Sequence, residues 1–381
     1  MCCWVKAGSH HEKSYPYGIA HFLEHMKFKG TVSRTKERIS NEVSEIGGRW
    51  GAATYPEWTR YYVHTPYDEW KQGVELLTDI VFRSTFPERE IALEKTVVVQ
   101  EIRRAKDKPS DYGNRLLLRH LRGMHPERAS NLGSESSVTS ITREDLIRFN
   151  TEYYQPSNVV LVVTGHIDHS KLVNYLESLS FPNESDIQPS SLEKLLHCKL
   201  DGRIIHIERN IHQAQLHWGM YGPDRESLDR YAGYVAVRLL QSRIAKEIRT
   251  DRGLAYSVSV ILNTMYSEGF ISGYVGTDPG QIDESKKIIL TELHRLRVEA
   301  VPADELSRTK KSIIGRFLID EDHPEALNAR LASEHIFGLT PDPLGFADRI
   351  RSVEARDVLL FAEAYFQESN MLFIQISKAP Q

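Results

Sequence analysis

Apolar and polar positions along the chain predict strands interleaved with amphipathic helices. Strand-like runs occupy residues 60–64, 159–163, 214–219 and 271–275, where apolar side chains alternate or follow one another without a break. Stretches with helical spacing of apolar residues lie between them. Residues 1–8 have the pattern of a strand interior followed by a turn, so we expect further residues upstream. The mixture predicts an α+β fold.

One unit of this pattern, a helix, an Asn-containing turn and a buried strand, occurs twice. The residue numbers of the two occurrences differ by a constant offset of 212, as three pairs of positions show: Asp145 and Asp357, Phe149 and Phe361, Asn158 and Asn370. Such a repeat indicates two copies of one α+β domain. Residues 182–195 have the Pro and Ser content of a linker. We therefore predict an N-terminal domain over 1–181 and a homologous C-terminal domain over 196–381.

The first half carries a constellation typical of a metal site, His-x-x-Glu-His at residues 21–25. His21 and His25 are four residues apart in a stretch with helical periodicity, so their imidazoles share one face and can chelate one ion. Imidazole nitrogens suit zinc (Zn²⁺), and a catalytic zinc keeps one position for water. Glu24 borders the same face and is the predicted base that takes a proton from this water. This order of residues defines the inverzincin motif, HxxEH.

A third protein ligand is expected on a second helix, predicted over residues 91–102. Glu94 and Glu101 are seven residues apart, which places both carboxylates on one side of that helix. A metal site explains why an otherwise apolar helix presents two carboxylates in register. We predict Glu101 as the third ligand and Glu94 as a hydrogen-bond partner of a ligating histidine.

The second copy of the domain has no such set. At the offset of 212, the four positions hold apolar or small residues, namely Gly233, Ala236, Val237 and Ile313. A duplicated domain can keep its fold while one copy loses the chemistry. The metal site is therefore expected in the N-terminal domain alone.

A less specific interpretation stays open for the motif and for its neighbours. A lone HxxEH pentapeptide also arises by chance, and its members would then be ordinary surface polar residues. The carboxylates downstream favour the metal site over that interpretation. His10 and His11 are expected to be solvated turn residues, not ligands.

Several motifs together resemble the pitrilysin and mitochondrial-processing-peptidase family. They are the segment 18–31, the Gly47-Gly48 turn, the segment 94–102 and the segment 155–160. The spacing from His21 to Glu101, 101 − 21 = 80, also matches the spacing between these ligands in that family. The resemblance runs from about Trp4 to the end of the chain.

The resemblance implies a fold, an assembly and further site residues. Each domain would be an antiparallel β-sheet packed by helices, and small members of the family pair into clam-shell dimers around a closed chamber. Peptides would add as a strand beside Gly51, Ala52, Ala53 and Thr54. Family members usually have Asn-Ala where this chain has Gly51-Ala52. In the second domain, Arg249 and Tyr256 match an arginine–tyrosine element that reaches the substrate; otherwise they are a solvated charge and a strand residue.

Composition narrows the classes of partner. The 381 residues carry a formal net charge of −4, which gives no reason to expect a nucleic-acid partner. No apolar run approaches the length needed to cross a bilayer, so we expect no membrane insertion. Three cysteines without a CxxC pair argue against a disulfide framework and are compatible with a reducing compartment. We expect a cytoplasmic protein.

The leading hypothesis is a zinc endopeptidase that cleaves short or unfolded peptides and acts as a homodimer or as a heterodimer with a related subunit. A second hypothesis is a non-catalytic structural or chaperone-like subunit, as some members of the family have become. The complete predicted ligand set favours the first, whereas Gly51 and the expected missing upstream residues keep the second open. A third, an unrelated zinc enzyme such as an amidase, would not account for Arg249 and Tyr256.

Overall fold

The computed structural model describes residues 1–123, 130–183, 187–195, 197–336 and 343–378. Its strands are β1 (Cys2–Val5), β2 (Arg49–Thr54), β3 (Thr59–His64), β4 (Val159–Val162), β5 (Arg203–Glu208), β6 (Ala214–Tyr221), β7 (Ala255–Thr264), β8 (Gly269–Thr277) and β9 (Met371–Ser377). Its helices are α1 (Ile19–Met26), α2 (Lys36–Glu45), α3 (Trp70–Phe82), α4 (Glu88–Asp107), α5 (Pro109–Leu121), α6 (Glu135–Ser140), α7 (Arg143–Tyr153), α8 (His169–Ser178), α9 (Asp229–Ala245), α10 (Ile282–Val298), α11 (Ala303–Glu321), α12 (Pro324–Ile336), α13 (Pro343–Ser352) and α14 (Ala355–Tyr365). The predicted strands and the predicted helices around the motif and Glu101 are confirmed.

The chain forms two compact units. The first unit comprises Met1–Arg104, Ser130–Leu192 and Asp320–Pro341, and the second comprises Ala105–Ala129, Glu193–Ile319 and Asp342–Gln381. The first unit therefore includes α12 from late in the sequence, and the second includes α5 from the first half. Each unit is a β-sheet packed by helices, so the predicted α+β fold with two homologous halves is confirmed.

The two sheets have the same strand order where they correspond. In the first unit the order is β2-β3-β1-β4, and in the second it is β7-β8-β6-β9 with β5 added beside β9. Neighbours pair antiparallel except β5 and β9, which are parallel. The first residue numbers of helices α7 and α14 differ by 355 − 143 = 212, as the repeat predicts. Helix α12 packs against β4, and α5 packs against β6 and β9, which are corresponding faces of the two sheets.

Each unit has its own apolar core, between the sheet and α1 in the first unit and between the sheet and α9 in the second. In the first unit, alternate residues of β1, Cys3 and Val5, face Ile19 and Leu23 of α1. In the second unit, Trp218 and Met220 of β6 belong to the core that contains α9. Burial of this apolar surface is the main stabilising contribution to each unit. Among the described residues, no helix combines the length and the apolar character that a bilayer crossing requires.

Candidate metal centre

Helix α1 presents the two histidines of the motif side by side. The ring centroids of His21 and His25 are 4.6 Å apart, with their planes inclined at 65°. Glu12 fixes the start of this helix, because its buried carboxylate accepts hydrogen bonds from the backbone N–H groups of Gly18 (2.8 Å) and Ala20 (3.0 Å). A carboxylate at this position satisfies free donors at the positive end of the helix.

Helix α4 brings Glu101 to the two imidazoles. Its Oε2 lies 3.8 Å from Nε2 of His21 and 3.7 Å from Nε2 of His25. One ligand atom from each of the three side chains lies within 4.8 Å of the other two. In the described part of the chain, this is the one group of three or more His, Cys, Asp or Glu side chains that converges in this way.

Glu94, two turns before Glu101 on α4, holds the ring of His25. Its Oε1 lies 2.7 Å from Nδ1 of His25, and its Oε2 lies 2.5 Å from Nζ of Lys29. Burial alone would lower the pKa of His25, but the hydrogen bond to Glu94 and the nearby carboxylates of Glu24 and Glu101 together outweigh burial, and the pKa is raised. Burial alone would raise the pKa of Glu94, but the bonds from His25 and Lys29 lower it. The pair therefore leaves Nε2 of His25 directed toward Glu101.

The donor set fits zinc. Two imidazole nitrogens and one carboxylate oxygen are the ligand types of a catalytic zinc site that keeps a position for water. With bonds of about 2.1 Å, the ligand atoms of tetrahedral zinc stand roughly 3.4 Å apart. The distances of 3.7 and 3.8 Å from Glu101 to the histidines need only small adjustments to reach that value. Burial lowers the pKa of His21 to about 3, so this imidazole is neutral, as a ligand must be.

Glu24 lies beside this group and is buried, with 9% of its surface exposed. The Oγ1 hydroxyl of Thr54, the last residue of β2, donates a hydrogen bond to its Oε2. Burial raises the pKa of Glu24, and the hydrogen bond from Thr54 offsets only part of this effect. A carboxyl group with a raised pKa is better suited to accept a proton than an exposed one.

The predicted substrate strand, Gly51 to Thr54, lies in β2 at an edge of the first sheet. A β-carbon on Gly51 would lie 2.6 Å from the hydroxyl oxygen of Tyr62, which is opposite it on β3. Tyr62 therefore occupies the space that a side chain at position 51 would need. This contact gives a physical reason for glycine at this position.

Arg249 and Tyr256 lie in the second unit. Arg249 is in a π-helical turn, Lys246–Asp251, and Tyr256 is near the start of β7. The guanidinium carbon of Arg249 is 5.5 Å from the centre of the Tyr256 ring, a cation–π contact. Tyr256 is 80% exposed. The structure thus pairs these two residues with each other.

The second unit has no counterpart of the metal ligands at the predicted positions. Gly233, Ala236 and Val237 are buried in α9. The offset in residue number between α4 and α11 is 303 − 88 = 215, because their first residues are Glu88 and Ala303. The residue of α11 that corresponds to Glu101 is therefore Arg316, and the prediction of Ile313 at this position is wrong by one turn. Neither residue is a carboxylate.

Two features of the site were missed or misread in the sequence. His10 and His11 are buried, so the expectation that they are solvated is wrong. His11 instead accepts a hydrogen bond from the backbone of Gly8 at Nδ1, which closes the turn before Glu12. Lys27 is fully buried at the end of α1, where its amine donates to the Val81 carbonyl (2.6 Å) and to Asn150 Oδ1 (2.5 Å). A buried lysine has no local sequence signal.

The sequence is similar to those of known peptidases. Residues 1–134 match the family model of insulinase, peptidase family M16, and residues 140–313 match the model of the peptidase M16 inactive domain. An uncharacterized zinc protease of Bacillus subtilis is 31% identical over 321 residues, which are 83% of this chain and 77% of that protein. Another from Rickettsia felis is 29% identical over 368 residues, covering 95% of this chain and 88% of its own.

Solved structures share the fold. A protease from Helicobacter pylori superimposes with a TM-score of 0.87 at 22% identity, covering 99% of this chain and 93% of its own. A peptidase M16 inactive domain from Pseudomonas fluorescens gives 0.89 at 19% identity, with 100% and 92% covered. Because the two family models together match most of the sequence, the chain belongs to peptidase family M16 as a pitrilysin-like member.

Proposed function

We propose that this protein is a zinc-dependent endopeptidase that hydrolyses short or unfolded peptides. The observation that carries the proposal is the convergence of His21, His25 and Glu101 beside the buried carboxylate of Glu24. Zinc bound there would polarise the scissile carbonyl and acidify the attacking water. The family membership and the zinc-protease names of the relatives support the same class of reaction.

Residues of the chain would carry out the proton transfers and hold the metal ligands in orientation. Glu24 accepts a proton from the attacking water and returns it to the leaving amine. Glu94 holds His25 in the tautomer and orientation that present Nε2 to the metal, because it occupies Nδ1 at 2.7 Å. Lys29 keeps Glu94 in place through its second oxygen.

The substrate class follows from strand addition. The edge strand β2 ends at Thr54, which contacts Glu24, so a peptide lying extended beside β2 would pass the base. Only a segment that can become extended can add in this way, which favours short or unfolded peptides. A closed chamber formed with a second, identical or related subunit would further exclude folded proteins.

The second subunit would also complete the site. Arg249 and Tyr256 form an exposed pair in a unit without metal ligands. We propose that this pair of one subunit binds the substrate backbone or the developing oxyanion at the metal centre of the other. A two-fold homodimer is the commonest closed arrangement that would allow this.

The test is hydrolysis of a mixture of internally quenched peptides by zinc-loaded protein, with and without a chelator. Cleavage should be lost with the chelator and restored by zinc. Glu101→Gln should lower zinc content and cleavage together, because it removes a ligand. The control Glu90→Gln, on the same helix but paired with Lys36, should leave both unchanged.

Two outcomes would contradict the proposal. If the zinc-loaded protein left every peptide intact, the non-catalytic structural or chaperone-like subunit would become the better hypothesis. If cleavage survived complete removal of metal, the ligand set would not be the active centre.

A further inference from the structure

Thr54 joins the edge strand β2 to the carboxylate of Glu24. Its hydroxyl donates to Oε2 of Glu24, and its backbone is held independently of that bond. Thr54 is paired with Thr59 of β3, and its carbonyl accepts a hydrogen bond from Asn131 Nδ2 at 3.0 Å. Oδ1 of Asn131 in turn accepts from the hydroxyl of the buried Ser9 at 2.7 Å. The end of the strand is thus a fixed support.

A threonine on a fixed backbone has a well-defined hydroxyl direction. Two heavy atoms on its β-carbon restrict χ1, so the direction of the donor follows from the direction of the backbone. Glutamate, by contrast, has three rotatable bonds in its side chain and loses much rotamer freedom when it is held in one arrangement. The hydrogen bond from Thr54 therefore reduces the number of orientations open to Glu24.

Orientation matters for a general base. It must bring one oxygen within hydrogen-bond reach of the proton that it takes. When Thr54 engages Oε2, the other oxygen is left for the water, and both are fixed relative to the strand. The side chain of Thr54, a predicted member of the substrate strand, thus contacts the base directly.

We propose that Thr54 is a positioning residue that orients the general base Glu24. This inference rests on the proposed function of the same site and adds a role for one of its residues. The strand beside which the peptide would lie is then also the support of the base. Strand β2 would then position both the substrate and the base, so the distance between the scissile bond and the base depends on this one strand.

The test compares Thr54→Val, which keeps the shape but removes the donor, with Thr54→Ser, which keeps the donor. In Thr54→Val, kcat for a quenched peptide should fall by about 10- to 100-fold, part of the contribution of a general base. KM and zinc content should stay close to those of the wild type. Thr54→Ser should retain kcat within about threefold, because its hydroxyl can make the same bond although its χ1 is less restricted.

A matched control is available on the neighbouring strand. Thr59 is paired with Thr54, and its hydroxyl donates to the carbonyl of Ala7 at 2.8 Å, away from Glu24. Thr59→Val removes a buried hydrogen bond from the same strand pair, so it reproduces any general loosening of the sheet. Its kcat should equal that of the wild type.

Three kinetic results would overturn the inference. They are an unchanged kcat in Thr54→Val, an equal loss of kcat in Thr54→Ser, and an effect confined to KM, which would assign Thr54 to substrate contact.

Crystal structures of the metal-free variants give a second measurement that needs no activity. Glu24 should keep one conformer bonded to residue 54 in the wild type and in Thr54→Ser, and should move in Thr54→Val. An unmoved Glu24 in Thr54→Val would also overturn it. If the wild type proved inactive, the proposed function would fail while these structures still decided the role of Thr54.

Discussion

The two units share one strand order, but helix α1 of the first and helix α9 of the second differ in the polarity of their residues. Helix α1 of the first unit carries His21, Glu24 and His25 at the side of a core. Helix α9 of the second unit is longer and has small or apolar residues, including Ala236 and Val237, fully buried in its core. A buried charge needs partners, and around α1 these are Glu94, Lys29 and Thr54.

The difference shows what the chemistry requires beyond the fold. The second unit forms the corresponding sheet and its own core without such ligands, so this architecture does not require them. In the first unit, a cap for α1, a partner for His25 and a donor for Glu24 accompany the ligands. The second unit has retained the scaffold and, in Arg249 and Tyr256, an exposed polar pair.

The largest expected effect comes from removing the base of the first unit, which the second unit also lacks. Glu24→Gln should lower peptide hydrolysis by about 10²- to 10⁴-fold, because the attacking water loses its base. Zinc content and thermal unfolding should stay close to those of the wild type, because the amide is isosteric and Glu24 is not a ligand. Kinetics with metal analysis would check this, and an active Glu24→Gln enzyme would end the assigned role.

A second experiment asks what the second unit contributes. Tyr256→Phe alone should lower kcat by about 10- to 100-fold, because a donor to the substrate is lost. When Tyr256→Phe chains exchange with Glu24→Gln chains, each mixed homodimer should contain one intact site. Random exchange makes half of the dimers mixed, so about a quarter of the wild-type activity should return.

The control is the same mixture before exchange, which should show only the residual activity of the Tyr256→Phe chains. No recovery after exchange has been verified, for instance by native mass spectrometry of differently tagged chains, would contradict action between subunits. The pair would then act within its own chain or have no role in hydrolysis.

The smallest expected effect concerns the buried His217 of the second unit, at a position where the first unit has a cysteine. Cys2 is paired with Tyr62 and Val162 on its neighbouring strands, and His217 is paired with Tyr274 and Ile374. The partners differ by 274 − 62 = 212 and 374 − 162 = 212, which is the offset of the repeat. Cys2 and His217 therefore occupy corresponding positions in the two sheets. Burial lowers the pKa of His217 to about 4, whereas it raises the pKa of the Cys2 thiol to about 12. Both side chains are therefore neutral near pH 7.

His217→Cys should make the second unit less sensitive to acid. An unfolded imidazole has a pKa of about 6.5, so between pH 6.5 and pH 4 the unfolded state binds more protons and stability falls as the pH falls. Removing His217 should reduce this slope by roughly 1 kcal/mol per pH unit. Urea unfolding between pH 7 and pH 5 would measure the slope, with the exposed His323→Cys as control. An equal slope in both variants would contradict the prediction.

Local patterns explain which parts of the site could be predicted. His21 and His25 share a helical face because of their spacing, and Glu94 and Glu101 share another for the same reason. The structure places all four where those rules imply. The position of Arg316 was missed because the constant offset of 212 changes to 215 at α4 and α11, and an offset measured at three distant anchors cannot reveal a local insertion.

Contacts between residues distant in sequence cannot be predicted from helical or strand spacing. Nothing around Thr54 indicates that its hydroxyl meets Glu24, 30 residues earlier. The burial of His10 and His11 was misjudged because polar residues in a turn are usually solvated. Here the turn is covered, since Ser9 N–H and His10 N–H donate to the carbonyls of Tyr55 and Pro56.

The repeat and the local periodicities are sufficient to predict the duplicated α+β fold, the helix that presents the histidines and the helix that presents the glutamates, because helical and strand periodicities are properties of neighbouring residues. The tertiary structure alone decided that α5 and α12 each belong to the unit formed mainly by the other half of the sequence. It also decided that Glu12 caps α1 and that Thr54 holds Glu24. These features depend on which surfaces meet after the chain has folded, and burial of apolar area, which selects those surfaces, is not directional.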